Sequence, residues 1–271
     1  MRQVDRSSVG VPPSLDRDLS AEISKIREGG EASSKIYRHN DVLSRLRELY
    51  LDKCFLCEIF VGNKGVVEHF LPWHKNFPAR AYQWENLNLS CKDCNDRKRK
   101  SPYRIPANPH QAATRTDLID PSNPPFGCKV DELIQFNKHR EAVSGERESL
   151  KSEVINTIKF LNDPMPLCYR NRRWDEFIEV VFQADCKKDW WAFRDMREIN
   201  PADWEDKVFC EKMSALERGD AIYEMFLRER SPFYTCMKYV VFHVLRLSAN
   251  DFKRMSEAYR KYKGFPFVSD K

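Results

Sequence analysis

Apolar positions recur at helical spacing through much of the chain, with one short interval that follows a different rule. From Ser34 to Asp52 the residues Ile36, Val42, Leu43, Leu46, Leu49 and Tyr50 return every three or four positions, which predicts a helix. "GVVEHFL" (Gly65 to Leu71) is instead a short β run, opened by Gly65 and followed by Pro72. "CKDCNDRKRK" (Cys91 to Lys100) lacks breakers and predicts the start of a helix. Between Ser101 and Phe126 the prolines Pro102, Pro106, Pro109, Pro121, Pro124 and Pro125 exclude a long regular element and predict a connecting wrap. "ESLKSEVINTIKFL" then sets Leu150, Val154, Ile155, Ile158 and Leu161 on one helical face and stops at Asn162 to Pro164. Further helices are predicted around Trp174 to Phe182, Lys188 to Met196, Trp204 to Leu216, Ala221 to Arg228, Thr235 to Leu247 and Ala249 to Tyr262. The expected fold class is α+β, predominantly α-helical, with no internal repeat.

These patterns divide the chain into an N-terminal arm and lead-in helices (1–52), a cysteine-framed core (53–104), a Pro-rich connecting wrap (105–128) and a helical domain (129–271). Residues 1–19 are polar and without periodicity, as in a flexible or draped arm. No apolar run approaches the roughly 20 residues of a membrane span, and "MKYVVFHVL" (Met237 to Leu245) reads as a buried helix. The start, "MRQVDRSSVGVPPSLDRD", has no apolar stretch of the secretory kind, so a cytoplasmic location is expected. There thiols stay reduced, and paired CxxC motifs point to metal rather than disulfides. Of the nine cysteines, Cys128, Cys168, Cys186, Cys210 and Cys236 are scattered singly and read as packing residues. The net charge of +5 permits nucleic-acid binding without arguing for it.

The other four cysteines carry chemistry. Cys54 and Cys57 bracket two residues, as do Cys91 and Cys94. Each pair turns two thiolates to one point, and two pairs complete a tetrahedral Zn2+ site with no open position, hence a structural one. The interval Glu58 to Ser90 is longer than a compact zinc ribbon needs, so something folded occupies it. It contains Glu68 beside His69. Neighbouring strand residues point to opposite faces, so these two converge on one ligand only if the chain turns there. Asn95 follows the last cysteine at the start of the predicted helix, where the zinc would hold it opposite Glu68.

Cys-x-x-Cys, Glu-His-x-x-Pro, Asn-Leu and Cys-x-x-Cys-Asn-x-x-Lys, from Cys54 to Lys98, together resemble the HNH endonuclease module in its zinc-stapled variant. That resemblance implies a ββα-metal fold. The opening "MRQVDRSSVGVPPSL", Cys57-Glu58, Glu68-His69-Phe70, Trp84 to Cys91 and "LIDP" (Leu118 to Pro121) are similar to one subfamily in particular. This is the HNH subunit of the Septu anti-phage system, PtuB, with its retron-associated relatives. Leu71-Pro72-Trp73 stands where that subfamily usually has Arg-Pro-Lys, and "SNPP" replaces an acidic pair after "LIDP".

Carried over by position, the resemblance makes His69 the general base, lets Glu68 and Asn95 hold a catalytic cation, and has Asn86 brace the loop that orients the histidine. Imidazole titrates near neutrality, as a base for water requires. Hard oxygen ligands suit Mg2+ or Mn2+. Asn95 alone could be a helix cap, and only the resemblance prefers Asn86 to Asn88; His74 is a rival base without an acidic neighbour. The cations Lys92, Arg97, Lys98, Arg99, Lys100 and Arg104 outweigh Asp93 and Asp96 beside the site. They predict contact with phosphates, Arg97, Lys98, Arg99 and Lys100 above all, against a solvated helix face. "YRNRRW" (Tyr169 to Trp174) mixes arginine with aromatics and fits a single strand or a docked protein equally.

The expected function is a metal-dependent endonuclease acting on nucleic acid, DNA favoured. The Septu resemblance implies an anti-phage role with an ABC/SMC-type ATPase partner of the PtuA kind. The alternatives are a stand-alone restriction-type HNH nuclease and a zinc-dependent nucleic-acid-binding module without catalysis.

Overall fold

The computed structural model describes residues 1–73, 77–99, 118–145, 152–182 and 206–263, the side chains of 126, 181, 182, 206–212, 244 and 262 aside. His74, Lys100, Arg104, His110, Cys186, most of the Pro-rich wrap and the helix expected at Lys188 to Met196 lie outside the described residues.

The lead-in segment forms α1 (Ser20–Arg27), α2 (Ser34–Tyr37) and α3 (Asn40–Tyr50). The single helix expected from Ser34 is broken at His39, whose extended backbone (φ −57°, ψ 152°) makes it the N-cap of α3. α3 buries Val42, Leu46, Leu49 and Tyr50, then ends with Leu51 and Asp52 in the left-handed region, at φ 53° and 58°. That reversal turns the chain into the first cysteine pair.

The arm is draped. Met1, Val4, Val9, Leu15 and Leu19 are buried, so hydrophobic residues spaced without helical period still supply anchors. Arg6 reaches furthest: its guanidinium donates to the carbonyls of Trp84 (2.9 Å) and Leu87 (2.8 Å) and to Asn88 Oδ1 (2.9 Å).

Strand β1 (Val66–His69) pairs antiparallel with β2 (Leu87–Ser90), in the register Glu68 opposite Asn88 and His69 opposite Leu87. Leu87 and Leu89 of β2 are fully buried, each worth about 1.5–3 kcal/mol of hydrophobic stabilisation. Helix α4 (Lys92–Lys98) follows β2 at once and packs on β1. The result is a ββα unit whose core joins Tyr50, Phe55 and Phe70 in edge-on aromatic contacts.

After Leu118 and Ile119, both buried, the chain forms α5 (Val130–Leu133) and a second hairpin, β3 (Ile134–Phe136) with β4 (Ala142–Ser144). This hairpin stands where helix alone was expected. Gly145 closes it against α5, where a Cβ would meet the Glu132 carbonyl oxygen at 1.9 Å. Helix α6 (Ser152–Leu161) buries Val154, Thr157, Phe160 and Leu161, so the inward face is turned from the one expected, with Ile155 and Ile158 only half-buried. Pro164 is the first residue of α7 (Pro164–Phe182), a position where its missing N–H costs nothing.

The contacts divide the chain into two compact units, Met1–Asn137 with Glu141–Leu167, and Lys138–Arg140 with Cys168–Lys271. The second is helical: α8 (Asp206–Ile222), a π turn at Tyr223–Leu227, α9 (Tyr234–Leu245) and α10 (Ala249–Tyr262). α8 and α10 meet closely at Gly219, where a Cβ would lie 2.8 Å from Met255 Sδ. Buried Phe226, Met237, Val240 and Phe252 form the core of this unit. Among the described residues no helix is long and apolar enough to cross a membrane.

Candidate active site and metal centre

The zinc cage is built from two turns. After Cys57, Glu58 takes a left-handed conformation (φ 62°), which folds the first pair back so that Cys54 N–H donates to the Ile59 carbonyl at 2.9 Å. The second pair opens α4, where Cys91 Sγ accepts the N–H of Cys94 at 3.3 Å and caps the helix. The four Sγ atoms are buried and lie within 4.8 Å of one another, with Cys57 and Cys91 3.9 Å apart. Thiolates about 2.3 Å from a tetrahedral Zn2+ stand about 3.8 Å apart, so the cage fits that ion. Hydrogen bonding, first of all to the Cys54 sulfur, pushes the Cys57 and Cys94 thiols well above their usual range. A divalent cation reverses that shift by accepting them as thiolates.

Glu68 and His69 leave β1 on opposite faces, because the strand stays regular through both and bends only at Phe70 and Leu71. The turn that would have converged them is one residue too late. Glu68 faces α4 and is buried, 4% exposed. Its Oε1 accepts from Lys98 Nζ at 2.8 Å, whereas its Oε2 is buried without a hydrogen-bond partner among the described residues. Burial raises the pKa of this carboxyl, and the Lys98 charge pulls it back down.

His69 faces the loop before β2. Its Nε2 lies 3.0 Å from the Ala81 carbonyl, which can only accept, so Nε2 carries the proton of the neutral ring. Nδ1 is left with its lone pair, and no partner for it stands among the described residues. Tyr37 meets the ring edge-on at 4.8 Å between centroids, and Trp73 at 6.3 Å. Burial, reinforced by Lys98, Arg99 and Arg38, lowers the His69 pKa to about 4 against the pull of the Ala81 hydrogen bond. The imidazole is therefore neutral, the form a base must have, throughout the neutral range.

Asn86 stands on the short turn before β2 and is buried. Its Oδ1 accepts from Leu71 N–H (2.7 Å), and its Nδ2 donates to the carbonyls of Leu71 (2.9 Å) and Arg80 (2.8 Å). One amide thus clips the segment after His69 to the loop that presents Ala81. Asn88 has a different setting, fully buried with its Oδ1 taken by Tyr50 and Arg6. Asn95 sits one turn before Lys98 on α4, and its Oδ1 is buried with no partner among the described residues. The structure thus sets two unpartnered hard oxygens, Glu68 Oε2 and Asn95 Oδ1, on β1 and on the helix packed against it. That is the donor chemistry of an Mg2+ or Mn2+ site.

The basic run is dispersed. Arg97 pairs with Asp163, and Lys98 is drawn inward, 7% exposed, with its ammonium on Glu68 and two carbonyls. Among the described cations of the run, only Lys92 and Arg99 are exposed. Two residues that sequence reasoning passed over stand beside His69: Tyr37 and the exposed Arg38, both at the end of α2. No local signal marks them, since they lie outside the motif, which begins only at Cys54.

A comparison with curated proteins finds no match to the chain. The family model described as HNH endonuclease does match, over residues 54–101, which span both cysteine pairs, Glu68, His69, Asn86 and Asn95. Over these residues the chain is similar to the HNH endonuclease domain, a signature of metal-dependent nucleases.

Proposed function

We propose that this protein is an endonuclease that hydrolyses phosphodiester bonds of DNA, with Zn2+ as a structural ion and Mg2+ or Mn2+ as the catalytic one. The observation that carries this reading is that three lone-pair atoms lack a hydrogen-bond partner among the described residues: Glu68 Oε2 on β1 and Asn95 Oδ1 on the helix packed against it, and His69 Nδ1 on the other face of the strand. The bound cation would neutralise charge developing on the phosphate. His69 Nδ1 takes the proton of the attacking water, Ala81 holds the ring in the tautomer that makes this possible, and Asn86 holds Ala81's loop. Arg99 and Arg38 supply exposed positive charge for the substrate backbone.

The likeness of the opening residues and of Glu68-His69-Phe70 to the Septu nuclease subunit supports a finer reading. In it the protein is the nuclease effector of a cytoplasmic Septu-type anti-phage complex with an ABC/SMC-type ATPase, and the helical domain at 129–271 docks that partner. The test is plasmid cleavage by zinc-loaded protein with Mg2+ or Mn2+, with and without the ATPase. Metal-dependent cutting supports the nuclease; cutting only with the ATPase supports the complex, and equal cutting without it supports a stand-alone enzyme. DNA binding with no cleavage under either condition would leave a zinc-dependent binding module and defeat the reading.

A further inference from the structure

We propose that Lys98 is a positioning residue, which fixes the Glu68 carboxylate and the end of strand β1 for metal binding, and is not a contact to substrate phosphate. The proposal rests on the nuclease reading of the same site. An ammonium has three N–H donors. Those of Lys98 find three acceptors within the domain: Glu68 Oε1 at 2.8 Å, the His69 carbonyl at 2.9 Å and the Phe70 carbonyl at 2.6 Å. No donor is left for a phosphate, and the side chain is buried.

The three acceptors define what the residue does. By holding Oε1, Lys98 sets the rotamer of Glu68 and leaves Oε2 as the free lone-pair donor. By gathering two successive carbonyls, it fixes where β1 ends and the chain bends, and so places the backbone of His69. Because Lys98 and Asn95 share α4 at a spacing of one turn, the same cation ties the helix of one metal ligand to the strand of the other. A neighbour that orients a metal ligand in this way commonly contributes 10–100-fold to metal affinity, roughly, when it is removed. A plain competitor for the carboxylate would have the opposite effect, since its loss would free Glu68 and tighten the metal.

The test uses the full-length, zinc-loaded protein. Mn2+ affinity is measured from the free-ion electron paramagnetic resonance signal for the wild type, Lys98→Met, Lys98→Arg, Glu68→Ala and the Lys98→Met/Glu68→Ala double variant. DNA affinity is measured over a salt series without divalent ions, and zinc content and melting identify any variant that fails to fold. The expected result is Mn2+ binding about 10-fold or more weaker in Lys98→Met, with no further loss from Lys98→Met once Glu68 is alanine. Arginine should restore it only in part, because a planar fork cannot meet three acceptors placed for a point charge. The slope of DNA affinity with salt should be unchanged. Unaltered or tighter Mn2+ binding in Lys98→Met, or a salt slope lower by about one, overturns the proposal. Cleavage by the wild type that is lost in His69→Ala upholds the nuclease whatever Lys98 does; a wild type that neither cuts nor binds Mn2+ overturns both.

Discussion

Replacing Asn86 by alanine should destabilise the site loop by about 3 kcal/mol. The side chain is 5% exposed and makes hydrogen bonds of 2.7, 2.9 and 2.8 Å to three backbone groups of Leu71 and Arg80. A buried hydrogen bond contributes about 0.5–1.5 kcal/mol net, and groups left unpaired cost at least that. Three such bonds give roughly 1.5–4.5 kcal/mol, and methyl-for-amide substitution supplies no replacement donor. Asn86→Asp is the sharper probe. It keeps the acceptor for Leu71 N–H but faces a carboxylate oxygen toward the Leu71 and Arg80 carbonyls, so it should cost more than alanine although it is closer in shape. Denaturant unfolding of zinc-loaded protein reads the stability, and single-turnover cleavage reads the effect through Ala81 on His69, expected to be about 10-fold or more. Asn86→Ala within about 0.5 kcal/mol of wild type, or Asn86→Asp more stable than Asn86→Ala, would refute the brace.

The low pKa of His69, about 4, sets the pH behaviour. Cleavage should keep its base through mildly acidic solution and lose it only below about pH 5, not at the ordinary histidine midpoint near 6.5; a limb at 6.5 in the rate profile would contradict the burial argument. Because the folded ring resists protonation more than the unfolded one, the unfolded chain gains the proton first. Stability is therefore withdrawn as pH falls from about 6.5 toward 4, by up to about 3 kcal/mol, in the difference between wild type and His69→Gln. Chelating the zinc should melt α4, seven residues long and too short to persist alone, and abolish cleavage that Mg2+ cannot restore; retained cleavage by zinc-free protein would refute the staple. Arg99→Ala and Arg38→Ala should each weaken DNA binding with a salt slope lower by about one, whereas an unchanged slope would remove them from the substrate path.

The site was legible where chemistry dictates residue type. Four thiolates at paired spacing specify a zinc cage without knowledge of the fold, and Cys54, Cys57, Cys91 and Cys94 do come together. Strand β1 was legible because Gly65 marks its start, and the helix expected at Ala249 to Tyr262 is α10, capped by Ser248, whose side chain accepts the Asp251 N–H. The β3–β4 hairpin was not, since strands of three residues are too short to display alternation. The break at His39 escaped because the apolar stripe continues on both sides of a residue whose extended backbone no pattern marks. Lys98 escaped for a different reason. In sequence it belongs to a solvated run of cations, and only the packing of α4 on β1 turns it toward three buried acceptors.

The central claim is that His69 Nδ1 acts as the base in a metal-dependent cleavage whose cation Glu68 and Asn95 would hold. Its most direct test is the single-turnover cleavage rate of wild type against His69→Ala, both zinc-loaded, at saturating Mn2+ and DNA. The account predicts a loss of about 100-fold or more, the usual contribution of a positioned base, with Mn2+ and DNA affinities unchanged. Rates within a few-fold of each other would contradict it.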